Sequence, residues 1–494
     1  METIDYLVIL AYFGILVICG VYFAGKQGSL GDFFLGARDI PWWAAAFSGI
    51  ATIVSGITYL GSPGLGFSTN FNFNQMSIGL PIVAIVLCGL MLPLFYRLNV
   101  VSIYEYLERR FDARTRLLAG GMFVLLKCGY LGFVIYAPSL VLSRMLSLPL
   151  VPICIVTGIF TTFYTLAGGI KAVIWTDSLQ LFVLLGGAVV AMGIALRAVG
   201  GDGLEEVLRV AGPAGRLEIF NFSTDITVTY SFWACFVGGI VNMIAQYGSD
   251  QAEVQRFLTA RSARAASWAL FATMVFTVAL GFMLFFIGTV LFVFYTQFPE
   301  KGGFAIHAND VFPKFIVEEM PAGLRGLMVA AVLAASMSTI SSVLNSQSAV
   351  LINDYFSRVS RRSAQVRDAR WLTLILGILT TALASFGGRF GNLLDASNKL
   401  TSLFSGSLVG VFLLGMLSKS ANASGAFWGV LAGLATAVAL DLLTNISFLW
   451  FGPASALAAG GFGLVISRLA QARPRGPRVD HPSPPGTESD GKPD

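Results

Sequence analysis

Apolar runs of membrane length recur along almost the whole chain, and one of them is apolar only in part. About thirteen runs lie near 4–24, 41–66, 74–98, 117–147, 150–168, 175–198, 229–249, 267–297, 324–352, 371–388, 398–418, 424–444 and 447–468. A helix needs roughly 20 residues to cross a bilayer, so each run is predicted to be a transmembrane helix. The exception is LMVAAVLAASMSTISSVLNSQSAVL at 327–351, where Ser336, Ser338, Thr339, Ser341, Ser342, Asn345, Ser346 and Gln347 crowd the middle and second half. At about 100° per residue, Ala335, Ser338, Thr339, Ser342 and Ser346 share one stripe. Hydroxyls in lipid must find partners. A neutral oxygen-lined stripe at mid-membrane depth suits a small hard cation such as sodium. Plain helix packing is the alternative, because small residues let backbones approach and hydroxyls bond back to their own helix.

Composition agrees with the pattern. Of 494 residues, 55% are hydrophobic and 12% charged, and the mean hydropathy is +0.75. A soluble chain carries about 25% charge, so this is an all-α integral membrane protein with the lipid bilayer as its solvent. The net charge of +5 does not point to nucleic acid, since the Lys and Arg residues lie in short loops. Cys19, Cys88, Cys128, Cys154 and Cys235 sit in apolar runs without metal-ligand spacing, which reads as small core residues. His307 and His481 fall in a loop and a tail, so histidine catalysis or metal binding within the membrane is not expected. The first run follows Glu2 and Asp5 instead of a basic segment, and is read as a retained helix.

Three short connections are basic. The first carries Arg97, Arg109, Arg110, Arg114 and Arg116, the second Arg256, Arg261 and Arg264, and the third Arg358, Arg361, Arg362, Arg367 and Arg370. They alternate with mixed-charge loops at 199–228 and 298–323, which predicts a cell-membrane protein with these loops and the C-terminus in the cytoplasm. An odd number of spans then puts the N-terminus outside. Residues 1–470 read as one transporter-sized membrane domain. The polar, Pro-rich segment 471–494 reads as a disordered cytoplasmic tail.

Two runs are interrupted in matching ways. Ser55-Gly56 and Gly61 break the second, and Ala245-Gln246-Tyr247-Gly248-Ser249-Asp250-Gln251 ends the seventh, five runs later. Discontinuous helices at corresponding positions of two halves mark the midplane site of a secondary transporter.

The segment YTLAGGIKAVIWTDSLQ at 164–180 resembles the sodium:solute symporter family, and so do GSDQAEVQRFL at 248–258 and the serine-rich run. YEYLERRF at 104–111 and YAPSLVL at 136–142 add to the likeness, which extends over residues 4–468. The chain looks most like the branch containing monocarboxylate, iodide and multivitamin symporters, and is also similar to sialic acid transporters. The resemblance implies a LeuT-type 5+5 inverted repeat with an extra N-terminal helix. The first repeat is expected at about 41–198 and the second at about 229–418. It implies symport of a small organic solute with sodium as the coupling ion and no cofactor.

Carried over residue by residue, the family's main sodium site implies the carbonyls of Ala51, Val54 and Ala335 with the hydroxyls of Ser338 and Thr339. The second sodium site of sialic acid transporters maps onto Asp177, Ser338, Ser341 and Ser342. An interfacial aspartate that pairs Lys171 or caps a helix remains the alternative for Asp177. Solute-binding positions implied by the resemblance are Ile53, Ser55, Thr58, Gln75, Tyr130, Gln246, Tyr247 and Phe404. Lys127 is the one lysine in the middle of a span, near Tyr130. It would serve as a counter-charge for a carboxylate, face a cavity, or pair with a distant acid.

Tyr130 stands where sialic acid transporters have an arginine. Ile57-Thr58 replaces the acidic-polar pair of sugar transporters, and Ile53 replaces the aspartate of proline transporters. An apolar pocket with amide and phenol donors is left, suited to a monocarboxylate or similar organic anion. Other solutes (sialic acid, a sugar, an amino acid or a vitamin) are the alternatives, and a transporter-like membrane sensor is the alternative of a different class. A membrane enzyme would need clustered His, Asp, Glu or Cys, and a channel a repeated polar pore. The expected partners are sodium ions, the solute and lipid, compatible with a monomer.

Overall fold

Among the described residues of the computed structural model, helices make up every regular element apart from an isolated bridge between Ile40 and Ala260. The structure describes residues 1–24, 29–146, 148–359, 363–386 and 393–472; most of the tail lies outside these. The elements that build the site are α1 (Thr3–Ala24), α2 (Trp42–Ile53), α3 (Gly56–Ser68), α4 (Phe71–Leu98), α5 (Ala113–Leu146), α6 (Leu150–Ala198), α7 (Gln251–Phe257), α8 (Ala263–Gln297), α9 (Leu324–Val350), α10 (Val366–Ala384) and α11 (Leu393–Leu417). Ala423–Leu443 and Phe451–Ala472 complete the chain.

Eight of the described helices are long and apolar enough to cross a membrane, or nine with α2 and α3 taken as one bent span. Among the described residues these are fewer than the about thirteen runs read from the sequence, two of which are read there as broken. Thr3–Cys19 and Leu150–Phe163 are shorter apolar helices. The run near 229–249 is divided by π-helical turns at Ala234–Gly238 and Ala245–Ser249. In α10, Arg367, Asp368 and Arg370 occupy the start of the helix.

The polar run becomes the central helix, with every residue from Met328 to Val350 buried. Neighbouring helices, not lipid, surround its hydroxyls, which answers the cost of exposing them to hydrocarbon. Its first turn is held by Asp5 of α1, whose Oδ1 accepts from Gly323 N at 2.7 Å and Gly326 N at 2.9 Å. Just beyond its other end, Asp354 accepts from Arg116 Nε at 2.9 Å and Ser102 Oγ at 2.9 Å.

Elsewhere small residues bring backbones together, as expected where lipid removes the hydrophobic drive between helices. A Cβ on Gly288 of α8 would stand 2.1 Å from Pro63 O and 2.7 Å from Phe67 N of α3. Gly169 divides α6 at φ 54°, ψ −174°, a conformation open to glycine and costly for other residues. It separates the runs expected near 150–168 and 175–198.

Both predicted breaks are present. α2 and α3 meet at 58°. Val54 leaves helical geometry at φ −80°, ψ 73°, and Ser55 caps α3 by accepting from Thr58 N at 3.5 Å. In an unbroken helix that N–H would close on the Val54 carbonyl. The second break falls at Asp250, extended at φ −96°, ψ 115°, whose carboxylate caps α7 by accepting from Ala252 N at 2.9 Å.

Candidate cation and solute site

The break between α2 and α3 lies against the hydroxyl stripe of α9. Ser338 Oγ has three carbonyl oxygens within reach, Ala51 at 2.7 Å, Ala334 at 3.0 Å and Ala335 at 3.2 Å. Thr339 Oγ1 has two, Thr52 at 2.7 Å and Ala335 at 3.1 Å. One hydroxyl proton cannot serve three acceptors, so the cluster has oxygen to spare. Neutral oxygens in excess over protons suit a hard monovalent cation. Four of the five residues expected at the main site, Ala51, Ala335, Ser338 and Thr339, converge here, and Val54 is the residue at which α2 ends. Thr52 was not expected among them.

One turn along α9, Asp177 of α6 lies fully buried. Its Oδ2 accepts from Ser48 Oγ at 2.7 Å, Ser342 Oγ at 3.0 Å and Thr52 Oγ1 at 3.4 Å. Its Oδ1 is buried without a hydrogen-bond partner. Asp177 lies eight positions beyond the Gly169 break and takes hydroxyl partners from α2 and α9, so it is neither an N-cap nor a partner of Lys171. Of its expected companions, Ser342 is in contact. Ser338 Oγ points to the α2 carbonyls, and Ser341 Oγ donates to the Ser338 carbonyl of its own helix at 3.1 Å. Ser48 and Thr52 complete the cluster in their place. Their i, i+4 spacing puts both hydroxyls on one face of α2, the only signal the sequence offered.

Beside the break, and reaching Thr52 and Thr339 of the oxygen cluster, is a cavity of about 240 Å³, below the roughly 300–1,000 Å³ of drug-sized pockets. Ile53, Ser55, Thr58, Lys127, Tyr130, Gln246 and Tyr247 all line it. Gln75 and Phe404 do not. The Gln75 amide is used up elsewhere: Nε2 donates to Asn72 O at 2.9 Å and Tyr230 O at 3.1 Å, and Oε1 accepts from Asn221 N at 3.3 Å. Phe404 packs against the apolar core beside Ser405, which does face the cavity.

Lys127 pairs with Asp250 at the second break and lies 4.8 Å from the centre of the Tyr130 ring. Of its open roles, the cavity and the distant acid are both realised. Asp250, part of the predicted second break, and Glu253, not among the expected site residues, also line the cavity; charges in a broken membrane span are the available signal. Among the described residues no group of His, Cys, Asp and Glu could hold a heavier metal ion.

Two broken helices around a cavity, packed on an oxygen-rich central helix, define a secondary transporter of LeuT type. The profile of the sodium:solute symporter family matches residues 33–433, and the chain belongs to that family. It is 32% identical over 460 residues to the sodium/sialic acid symporter NanT of Aliivibrio fischeri, covering 91% of this chain and 90% of that protein. It is 31% identical over 444 residues to the human sodium-coupled monocarboxylate transporter 1, covering 87% and 72%. The structure of a Na⁺-coupled sialic acid symporter in a substrate-bound outward-open state is similar with a TM-score of 0.86 and 28% identity, covering 95% of this chain and 98% of that one. The homologues are transporters, and this protein is a multi-pass membrane transporter, not an enzyme.

Proposed function

We propose that this protein imports a small organic anion, a monocarboxylate first among them, together with sodium by alternating access. The observation that carries the proposal is the shared break. The segment Ala51–Ser55 supplies the Ala51 and Thr52 carbonyls to the oxygen cluster, and its Thr52, Ile53 and Ser55 line the solute cavity. A cation that orders those peptides therefore shapes the cavity wall, and linkage makes the effect reciprocal.

In this account Ala51, Val54, Ala335, Ser338 and Thr339 hold the main sodium. Asp177 with Ser342, Ser48 and Thr52 holds the second. The solute carboxylate is met by Tyr130 and by Lys127, which shares itself with Asp250. The cytoplasm is assigned to the face carrying the basic loops. Relatives named for monocarboxylates and for sialic acid support a carboxylate as the common chemistry. Sialic acid is the second reading, favoured by the TM-score of 0.86 and opposed by Tyr130.

The test is uptake of labelled lactate, pyruvate and sialic acid into proteoliposomes under an inward sodium gradient. Sodium-dependent uptake of the small acids, with mutual competition and none from sugars, is expected. Strong sodium-dependent binding of a neutral sugar would refute the carboxylate assignment.

A further inference from the structure

Asp177 on α6 and Glu253 on α7 each keep one buried carboxylate oxygen, Oδ1 and Oε2, that receives no hydrogen bond. Both side chains are hidden, at 0% and 4% exposure. Arg256 links the two. Its Nη1 donates to the Ser48 carbonyl at 2.8 Å and stands 3.8 Å from Glu253 Oε2, while Ser48 Oγ donates to Asp177 at 2.7 Å. Its Nε donates to Ala252 O at 3.2 Å. The charge of Arg256 acts on both carboxylates, and those of Asp177, Asp250 and Lys127 act on Glu253. Lys127 is committed to Asp250. Two buried acids are thus left with one base.

An uncompensated buried charge is strongly unfavourable, so either a proton or a further cation has to join the group. Where it joins depends on which acid holds the guanidinium. Glu253 precedes Arg256 by three residues on the same face of α7, a spacing that favours their pairing.

We infer that Glu253 is a positioning residue for the second cation: by holding Arg256 it keeps the guanidinium off Asp177 and leaves that carboxylate free for sodium. The inference rests on the reading of Asp177 as a sodium ligand. Without the Glu253 charge, Arg256 turns to Asp177 and competes with sodium for the same oxygens. Because Glu253 also lines the cavity, the same ion pair stands between the solute and the second cation.

The test compares Asp177→Asn, Glu253→Gln, Glu253→Asp and the double variant Glu253→Gln/Arg256→Gln in the full chain. Sodium is titrated twice, against the melting temperature of the purified protein and against uptake. Glu253→Gln is expected to raise half-maximal sodium about ten-fold, within the usual range of site coupling, and to lower sodium cooperativity as Asp177→Asn does. Glu253→Asp, which keeps the charge, should stay near wild type. The double variant, which removes both charges, should recover much of the sodium response, and it carries the test should Glu253→Gln not fold. A wild-type sodium curve in Glu253→Gln beside a shifted one in Asp177→Asn overturns the inference, and so does a double variant as impaired as Asp177→Asn. An unshifted Asp177→Asn removes the second sodium itself, and the inference with it.

Discussion

Thr339→Ala removes one oxygen from the main cation cluster, together with a methyl group, at a residue that also touches the solute cavity. Thr339 Oγ1 lies 2.7 Å from Thr52 O and 3.1 Å from Ala335 O, and the residue is almost fully buried at 1% exposure. A hydrogen bond or ligand contact to a charged group is worth about 1.5–3 kcal/mol. Loss of one such contact should therefore raise half-maximal sodium by about 10- to 150-fold. Stability without sodium should fall less, by about 1 kcal/mol, since the Thr52 carbonyl loses one neutral donor. Thr339→Ser retains the oxygen and should remain within about three-fold of wild type, whereas Thr339→Val keeps the shape without the oxygen and should behave as alanine does. The assay is a sodium titration of uptake into proteoliposomes, with sodium-dependent melting of the same preparations as the control for folding. An unchanged sodium requirement in both the alanine and valine variants would refute the assignment of this cluster as the main cation site.

Three other outcomes are expected. Lys127→Gln leaves Asp250 as a largely buried unpaired charge at the second break and should destabilise the protein by up to about 3 kcal/mol, the low end for a buried pair, seen as lost folded yield. The double variant Lys127→Gln/Asp250→Asn should recover much of that stability, and equal losses in both would show the pair to be irrelevant. Gly288→Ala places a Cβ 2.1 Å from Pro63 O and should cost about 1–3 kcal/mol by overpacking, read as a lower melting temperature. Asp177→Asn should reduce sodium cooperativity in uptake while the main site still responds to Thr339→Ala; full cooperativity in Asp177→Asn would contradict a second ion there.

Much of this site was legible because membrane chemistry leaves few innocent explanations for polar residues. The row Ser338, Thr339 and Ser342 stood out against an apolar run, and the breaks at Ser55-Gly56 and before Gln251 were visible as glycines, polar residues and an aspartate within spans. What escaped was pairwise geometry across distant helices. Ser48 and Thr52 look like ordinary membrane-helix hydroxyls until α2 meets Asp177. The Lys127 partner lies at the second break, more than a hundred residues away, and no local pattern linked Lys127 to Asp250. Gln75 was expected in the solute pocket, yet its amide braces the segments at Asn221 and Tyr230, because an amide's direction is set by tertiary contacts that spacing does not encode. The count of spans was blurred for a related reason: π-helical turns interrupt the run near 229–249, and the runs near 4–24 and 150–168 form shorter apolar helices, Thr3–Cys19 and Leu150–Phe163.

The most direct test of sodium-coupled anion import is the charge carried per solute. Two sodium ions entering with a monoanion move one net positive charge inward. An inside-negative potential is then worth about 2.3 kcal/mol per 100 mV, or about fifty-fold extra accumulation. Lactate uptake into sodium-loaded gradients should show a sodium Hill coefficient near two, rise when valinomycin with potassium sets an inside-negative potential, and generate an inward current. Uptake that is independent of sodium would contradict the central claim, and electroneutral uptake with a Hill coefficient near one would reduce the account to the main site alone.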